Sequence, residues 1–308
     1  MRTLILLTLL TVFLLPGYSQ SYKIPDDVTR IVFLGNSITY QGKYIEYIEA
    51  YFAINHPEKQ YEFINVGLPS ENVSGLSEEN HAGGAFPRPD LHERLARVLD
   101  KTKPDLVFAC YGMNDGIYLE FDDTRFNKFR EGINWLHDEV VKAGAEIIHV
   151  TPPVFDERKG EAYANVLDIY SDWLISKRYT AGWNVIDIHW PMRKELEKQR
   201  TVNSTFAYAQ DGVHPNNYGH FVMASEMLWY LGENQTDQSY NMERFLSENP
   251  DRDEILRLVY QHQMTMKDAW LTFIGHKRPG MTVGLPMEEA SEKSEEIIKQ
   301  ISVLLSKE

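Results

Sequence analysis

Five short apolar runs recur along the first two thirds of the chain, separated by longer stretches with apolar residues three or four positions apart. The runs are Ile31–Leu34, Phe63–Val66, Leu106–Tyr111, Ile147–Thr151 and Val185–Ile188. Because they are continuous rather than alternating, they are typical of strands covered on both faces. The helical stretches between them include Tyr44–Phe52, Leu91–Leu99, Phe126–Val141 and Tyr163–Tyr179. The alternation predicts a doubly wound, three-layer α/β/α domain around a five-stranded parallel sheet.

The two ends of the chain follow different patterns. Residues 1–20 combine a positively charged start, an apolar stretch over Leu4–Leu15 and a small, polar end, which predicts a secretory signal peptide. The apolar stretch is shorter than the roughly 20 residues of a membrane-spanning helix. Residues 233–308 are first polar and turn-rich, then helical over Ile255–Trp270 and Glu288–Leu305. We therefore expect a signal peptide (1–20), a main domain (21–232) and a helical C-terminal extension packed on that domain (233–308).

Composition narrows the partners and the compartment. The formal net charge is −14 and the isoelectric point is about 5.2, so nucleic acids and anionic membrane surfaces would be repelled. Cys110 is the only cysteine, which excludes an intramolecular disulfide bond, and its apolar neighbours predict a buried thiol. We expect a soluble protein, secreted or periplasmic after removal of the signal peptide, without stable membrane association.

Ser37 stands in Gly35-Asn36-Ser37-Ile38-Thr39, directly after the first apolar run. A serine hydroxyl at a turn between strand and helix can act as a nucleophile once a base removes its proton. Alternatively, Ser37 is the N-cap of the following helix, a common role for serine. The segment lacks the final glycine of the Gly-x-Ser-x-Gly elbow, so an α/β-hydrolase is not indicated.

Asp211 and His214 lie together in Asp211-Gly212-Val213-His214, far downstream of Ser37. A carboxylate that binds one imidazole nitrogen fixes the tautomer and leaves the other nitrogen as a general base. Three-residue spacing on a tight loop can place both side chains on one side, and a helix over Tyr218–Leu231 would hold that loop. An isolated Asp-x-x-His is otherwise often a surface turn. Together with Ser37, the pair predicts a Ser-His-Asp triad.

Asn114 ends the third apolar run in Gly112-Met113-Asn114-Asp115. The carboxyl ends of parallel strands lie at one edge of a sheet, so we expect Ser37 and Asn114 at the same edge. An Asn amide there can donate a hydrogen bond to a developing oxyanion, and removing such a donor costs about 2.7–4 kcal/mol. The alternative role of Asn114 is turn formation.

Four short blocks resemble those of the SGNH/GDSL hydrolases, in order and spacing, across roughly residues 30–231. The blocks are Gly35-Asn36-Ser37, Asn65-Val66-Gly67-Leu68-Pro69-Ser70, Gly112-Met113-Asn114-Asp115 and Asp211-Gly212-Val213-His214-Pro215. The resemblance implies a flavodoxin-like fold and serine ester hydrolysis without a metal or other cofactor. It makes Ser37 the nucleophile, His214 the base and Asp211 its orienting partner.

The resemblance also implies three oxyanion donors, which are the Ser37 backbone N–H, a backbone N–H of the second block and the Asn114 side chain. Two positions depart from the family pattern. Asn36 stands where the first block commonly has an aspartate, which is not a triad member. In the second block the usual oxyanion glycine falls on Ser70, three residues after Gly67. Either residue could supply the N–H, and the count favours Ser70.

Other polar and aromatic residues are weaker candidates. His81, Asp90 and His92 flank a Gly/Pro-rich loop, but their spacing matches no standard metal-ligand set, and the loop is expected to form a wall of the cleft. His276-Lys277-Arg278 is expected to be a solvated turn. Aromatic side chains near the blocks could stack on sugar rings or pack in the core, and they are Tyr40, Tyr44, Tyr111, Tyr118 and Phe121.

We expect a secreted serine esterase that cleaves O-acyl esters through an acyl-enzyme. Many exported relatives in the SGNH/GDSL family remove acetyl groups from polysaccharides, so the resemblance implies an O-acetyl ester of a carbohydrate, small or polymeric, as the substrate. One alternative is a lysophospholipase or general short-chain esterase, which would have an apolar groove leading from the serine. The other is a non-catalytic carbohydrate-binding protein on the same fold.

Overall fold

The computed structural model describes residues 21–233, 239–246 and 249–306. The predicted signal peptide, residues 1–20, lies outside the described residues. The five predicted strands are present as β1 (Arg30–Gly35), β2 (Glu62–Asn65), β3 (Leu106–Cys110), β4 (Glu146–Val150) and β5 (Asn184–Ile186). They pair in parallel in the order β2-β1-β3-β4-β5. The predicted sheet is confirmed, and its strand order is that of flavodoxin-like folds, with a topological switch point between β1 and β3.

Helices alternate with these strands and continue beyond them. Those of the described residues are α1 (Ser37–Gln41), α2 (Lys43–Asn55), α3 (Leu95–Thr102), α4 (Asp123–Lys142), α5 (Glu161–Thr180), α6 (His189–Val202), α7 (Asn217–Tyr230), α8 (Met242–Phe245), α9 (Arg252–Ile274) and α10 (Met287–Leu305). The hydrophobic pattern did not predict α6. The N–H groups of Ile188 and His189, at the start of α6, donate to the Thr151 hydroxyl at 2.9 and 3.0 Å. Because this contact with a residue far away in the sequence begins the helix, the fifth strand ends at Ile186 rather than at Ile188.

The helix expected over Leu91–Leu99 is broken in the structure. A 3-10 turn covers Leu91–Glu93, and α3 begins only at Leu95. The residue between them, Arg94, has φ −128° and ψ −13°, and its side chain is fully buried. The break exists because the chain turns this guanidinium into the interior, where it forms an ion pair.

Helices cover both faces of the sheet, which explains why the strands are continuously apolar. On one face α2 packs against α7, with the Tyr47 and Phe221 rings 5.6 Å apart. On the other, α4 packs against α5, with the Phe129 and Tyr170 rings stacked at 4.3 Å. Cys110 is buried at the end of β3, as predicted, and burial raises the pKa of its thiol to about 12. No helix of the described residues has the length and apolar character needed to cross a membrane.

The C-terminal helices lie against the β2 side of the domain. Helix α9 contacts α2, α3 and β2, and α10 packs on α9. The Gln263 side chain donates to the carbonyl of Phe63 in β2 at 3.1 Å, and His262 bonds to Glu49 of α2 at 2.7 Å. Because β2 is the edge strand of the sheet, α9 covers backbone groups that would otherwise be open to pairing.

Candidate active site

Ser37 lies directly beyond the carboxyl end of β1, in the first position of α1. Asn36 is the cap of this helix, because its Oδ1 accepts a hydrogen bond from the Ile38 N–H at 3.0 Å. Helix α2 follows Gly42, which has a φ of +72°. The alternative of Ser37 as an N-cap is therefore wrong.

The Ser37 hydroxyl, the His214 imidazole and the Asp211 carboxylate form one hydrogen-bonded chain. The distance from Ser37 Oγ to His214 Nε2 is 2.8 Å, and that from His214 Nδ1 to Asp211 Oδ2 is 2.6 Å. Ser37 and His214 are 177 residues apart in the sequence, and the fold brings them into contact as predicted. Each side chain has the neighbour that a nucleophile, its base and an orienting carboxylate would need.

Asp211 is held as a carboxylate. Its partial burial by itself would raise the pKa, but hydrogen bonds from the His214 side chain and from the N–H groups of His214 and Val213 outweigh burial and lower it to about 2. Both N–H groups bond to Oδ1 at 2.9 Å, while Oδ2 contacts the imidazole. The carboxylate is thus oriented by its own loop and is ionised throughout the neutral range.

The loop that carries Asp211 and His214 is fixed by backbone geometry. Gly212 has a φ of +87°, which favours glycine, and its carbonyl accepts the Asp156 N–H at 3.1 Å. Asn216 then caps α7, since its Oδ1 accepts the Gly219 N–H at 2.9 Å. The loop therefore ends at a defined helix start.

Two residues that the sequence did not single out dock α7 against the serine. His220 is fully buried, lies 2.9 Å from Gln41 Oε1 in α1, and stacks on the Tyr44 ring at 6.0 Å. Burial lowers the pKa of His220 to about 3, so the ring is neutral and its Nε2 donates to the Gln41 carbonyl oxygen. A contact between α7 and α1 leaves no periodic signal in the sequence.

The two candidate donors of the second block, the N–H groups of Gly67 and Ser70, differ in their hydrogen-bond partners. The Gly67 N–H already donates to Asn65 Oδ1 at 2.9 Å, and a Cβ at Gly67 would lie 2.2 Å from the Tyr40 backbone nitrogen. Gly67 therefore allows close packing, and its N–H is occupied. Among the described residues, none accepts a hydrogen bond from the Ser70 N–H. Of the two, Ser70 is therefore the residue whose N–H remains available as a hydrogen-bond donor.

Ser70 occupies the strained position of a tight turn. The Glu71 N–H bonds to the Leu68 carbonyl at 3.1 Å, Pro69 is the second residue of the turn, and Ser70 has a φ of +67°. This is a type II turn, whose third position favours glycine. The left-handed conformation costs an L-residue roughly 1–2 kcal/mol, which gives a physical reason for the glycine that the family commonly places there.

The Asn114 amide is oriented by two hydrogen bonds. Its Nδ2 donates to the Glu71 carbonyl at 3.0 Å, and its Oδ1 accepts from the Tyr118 hydroxyl at 2.9 Å. An amide nitrogen carries two hydrogens, so one N–H remains for a ligand. Ile117 and Tyr118 both have positive φ, at 48° and 57°, and this strain beside Asn114 is typical of functional sites.

A buried ion pair lies beneath these donors. Arg94 binds Glu71 through Nε and Nη2 at 2.6 and 2.7 Å, and the Tyr111 hydroxyl donates to the same carboxylate at 2.6 Å. Arg94 Nη2 also donates to the Val66 carbonyl at 2.8 Å. This pair was not predicted, because Arg94 stands among other charged residues, such as Glu93 and Arg97, and nothing in the sequence distinguishes it from them.

Compared with models of known protein families, the sequence matches one family. The GDSL-like Lipase/Acylhydrolase family matches residues 33–221, a range that contains all four blocks. The chain belongs to this family. The prediction that the protein is a carboxylic ester hydrolase is thereby confirmed. No curated protein matches the chain.

Solved structures share the fold of this GDSL-family hydrolase at low identity. A gut microbial diltiazem-metabolizing enzyme is 19% identical with a TM-score of 0.57, and the match covers 70% of this chain and 49% of that protein, so the chain spans about half its length. A catalytic mutant of Axe2, an acetylxylan esterase from Geobacillus stearothermophilus, is 19% identical with a TM-score of 0.55 over 70% and 100% of the two chains. LAE5, an alpha/beta hydrolase enzyme from the metagenome of Lake Arreo, Spain, is 20% identical with a TM-score of 0.52 over 70% and 98%.

Around the site of this GDSL-family hydrolase, the other candidates take different places. Tyr44 and Tyr111 are buried in the core and cannot stack on a sugar. His81 Nδ1 donates to the Phe86 carbonyl at 2.8 Å, and His92 Nδ1 pairs with Asp90 at 2.6 Å. In residues 21–233, 239–246 and 249–306, no three His, Cys, Asp or Glu side chains group as a metal site.

The buried His220 predicts loss of stability in acid. Its pKa is lower in the folded than in the unfolded chain, so its contribution is complete above pH 6.5 and is lost as the pH falls towards 3. The free energy of unfolding of the wild type should therefore fall more steeply than that of His220→Gln, by about 1.4 kcal/mol per pH unit. Urea titrations between pH 6.5 and 4.5 measure this. Ser302→Ala, which replaces an exposed side chain that does not titrate, should keep the wild-type slope, and parallel curves for the wild type and His220→Gln would refute the assignment.

The Arg94–Glu71 pair predicts a non-additive effect on stability. Arg94→Met leaves Glu71 buried without its partner and should lower the free energy of unfolding by about 3–5 kcal/mol. Arg94→Met combined with Glu71→Gln removes both charges and should be clearly less destabilised than Arg94→Met alone. Chemical denaturation of the variants, with the exposed Lys101→Met as control, makes the comparison. Equal losses in the single and double variants would contradict it.

Proposed function

We propose that this GDSL-family hydrolase is a serine esterase that removes O-acetyl groups from carbohydrates. The observation that carries the proposal is the hydrogen-bonded chain from Ser37 through His214 to Asp211 at the switch point of the sheet. The Ser70 N–H and the Asn114 amide, on the second and third blocks, supply donors to the same edge. This arrangement matches the requirements of acyl transfer to a serine.

In the proposed mechanism, Ser37 Oγ attacks the ester carbonyl carbon while His214 Nε2 takes its proton. The N–H groups of Ser37 and Ser70 and the Asn114 side chain would stabilise the negative oxygen of the tetrahedral intermediate. The C–O bond to the alcohol then breaks, and His214 gives its proton to the departing oxygen. Water, deprotonated by His214, attacks the acyl-enzyme, and collapse of the second intermediate releases the acid and returns the proton to Ser37.

Two observations support a carbohydrate substrate. One is the solvent exposure of the His214–Asp211 dyad, and the other is the name of a protein that shares the fold. The side chains of His214 and Asp211 are 44% and 54% exposed, which fits a large hydrophilic alcohol at the site rather than a chain threaded into a deep pocket. Axe2, which shares the fold, is named as an acetylxylan esterase. We also infer export, with residues 1–20 as the signal peptide, from the pattern of those residues alone.

Substitution of the triad should separate chemistry from folding. Ser37→Ala should abolish hydrolysis of 4-nitrophenyl acetate, and Asp211→Asn should lower kcat about 10³- to 10⁴-fold, because the imidazole loses its orienting carboxylate. Initial rates measure both, and a fluorophosphonate probe followed by intact-mass analysis should label the wild type but not Ser37→Ala. Ser302→Ala, an exposed position on α10, is the matched control. Full activity in Ser37→Ala would exclude the proposed nucleophile.

The substrate class should emerge from a screen of acetate release. Acetylated xylan, acetylated pectin and small acetylated sugars should be deacetylated with higher kcat/KM than lysophospholipids or 4-nitrophenyl esters of long acyl chains, because the site is open and polar at the dyad. Release is measured by an enzyme-coupled acetate assay with Ser37→Ala as blank. Preference for long-chain esters would favour the lysophospholipase alternative. Glycan binding without any release of acid would favour a binding protein.

A further inference from the structure

The loop that follows α9 touches the second block through one side chain. Arg278 Nε donates to the Pro69 carbonyl oxygen at 2.9 Å, and its guanidinium carbon lies 5.3 Å from the centre of the Phe86 ring. The Pro69 carbonyl and the Ser70 N–H belong to the same peptide group. A residue expected in a solvated turn therefore contacts the opposite end of the group that presents the oxyanion N–H.

This peptide group has an alternative orientation that its sequence favours. Turns of type I and type II differ by half a rotation of the central peptide, here the one between Pro69 and Ser70. In type I the third residue has a negative φ, which serine adopts without strain, and proline is favoured at the second position of both types. Rotation to type I would turn the Ser70 N–H away from the site and put the carbonyl oxygen in its place.

Arg278 opposes that rotation. A hydrogen bond from a guanidinium to a carbonyl oxygen is charge-assisted and therefore among the stronger ones. It exists only while the Pro69 carbonyl points away from the active site, and it would be lost on rotation. Because a hydrogen bond at the carbonyl also polarises the peptide, the same contact strengthens the Ser70 N–H as a donor.

Neighbouring residues hold the loop that carries Arg278 in place. Arg97 of α3 donates to the carbonyls of Ile274 and Gly275, at 3.0 and 3.1 Å, where the loop leaves α9. Two turns earlier in α9, Lys267 Nζ donates to the Tyr40 carbonyl in α1 at 3.1 Å and lies 4.0 Å from the centre of the Tyr40 ring. The extension thus holds both the helix of the serine and the turn of the second block.

We propose that Arg278 is a positioning residue that keeps the Pro69–Ser70 peptide in the type II orientation, with the Ser70 N–H directed to the oxyanion. The proposal rests on the proposed function, since it concerns a donor of that reaction. It assigns a role in catalysis to the C-terminal extension, whose helices lie outside residues 33–221 that match the family.

The test compares Arg278→Met in two backgrounds. Arg278→Met should lower kcat for 4-nitrophenyl acetate about tenfold and change KM less than about twofold. The reason is that the Pro69–Ser70 peptide would then rotate in most molecules, and the Ser70 N–H would no longer stabilise the transition state there. Glycine accepts a positive φ without strain. In the Ser70→Gly background the same substitution should therefore lower kcat less than about threefold. A purely structural role for Arg278 would give equal losses in both backgrounds.

Two further variants control the experiment. Lys277→Met, next to Arg278 in the loop, changes an 84% exposed lysine that lies 3.9 Å from Glu93, and it should keep wild-type kcat and KM. Arg278→Gln keeps a neutral donor and should lose less than Arg278→Met. Thermal unfolding of each variant shows whether it is folded, and if Arg278→Met does not fold, Arg278→Gln is measured in both backgrounds with the same criterion.

The proposal is overturned if folded Arg278→Met retains kcat within about twofold of Lys277→Met, if its loss is confined to KM, or if the loss is equal with Ser70 and with glycine at position 70. Failure of the proposed function looks different. In that case the wild type itself shows no hydrolysis that depends on Ser37, and the fluorophosphonate probe does not label it.

Discussion

The ion pair between Arg94 and Glu71 is the contact on which the arrangement of the second and third blocks depends. Taking two charges out of water costs several kcal/mol per ion, so such a pair is retained only where its geometry is good and further hydrogen bonds satisfy it. Here the contact is bidentate, and Tyr111 and the Val66 carbonyl add to it. Glu71 and Arg94 both follow β2, the Tyr111 hydroxyl reaches the same carboxylate from the residue directly after β3, and the Glu71 carbonyl in turn accepts the Asn114 amide. Its effect is to fix the second and third blocks relative to each other.

The contact between Ser37 and His214 depends on a different constraint, the docking of α7 against α1. The neutral His220 bonds to Gln41 four residues after Ser37, and the Asp211–His214 loop lies immediately before α7. Asp115 adds a link on the other side, because its buried carboxylate accepts N–H groups of Gly112, Val73 and Ser74, while burial raises its pKa to about 6. The two halves of the site are thus held mainly by different networks, and the amide of Asn65, which donates to the Thr39 carbonyl at 2.7 Å, connects β2 to α1.

The fold and the four blocks were predictable because each leaves a local signal. Continuous apolar runs marked the strands, and the order of strands and helices placed Ser37 and Asn114 at one edge. The charged and polar contacts between distant segments were not predictable in this way. Nothing near Arg94 in the sequence indicates that it breaks a helix to reach Glu71, and α6 begins on a hydroxyl 37 residues upstream of Ile188. Which of Gly67 and Ser70 has an N–H already bonded within the fold depends on backbone angles and hydrogen-bond partners, which a pattern of residue types does not contain.

The second block shows how a local conflict in the sequence is resolved by a distant part of the chain. With serine at the third position, the turn should prefer type I, because the left-handed conformation costs roughly 1–2 kcal/mol. A hydrogen bond to a charged donor contributes about 1.5–3 kcal/mol, which is enough to reverse that preference. Arg278 supplies such a bond to the Pro69 carbonyl from a loop 209 residues away. With glycine at that position the conflict would be absent and the arginine would matter less. The conformation of the turn from Leu68 to Glu71 is therefore a property of the main domain and the extension together, and the four blocks alone do not determine it.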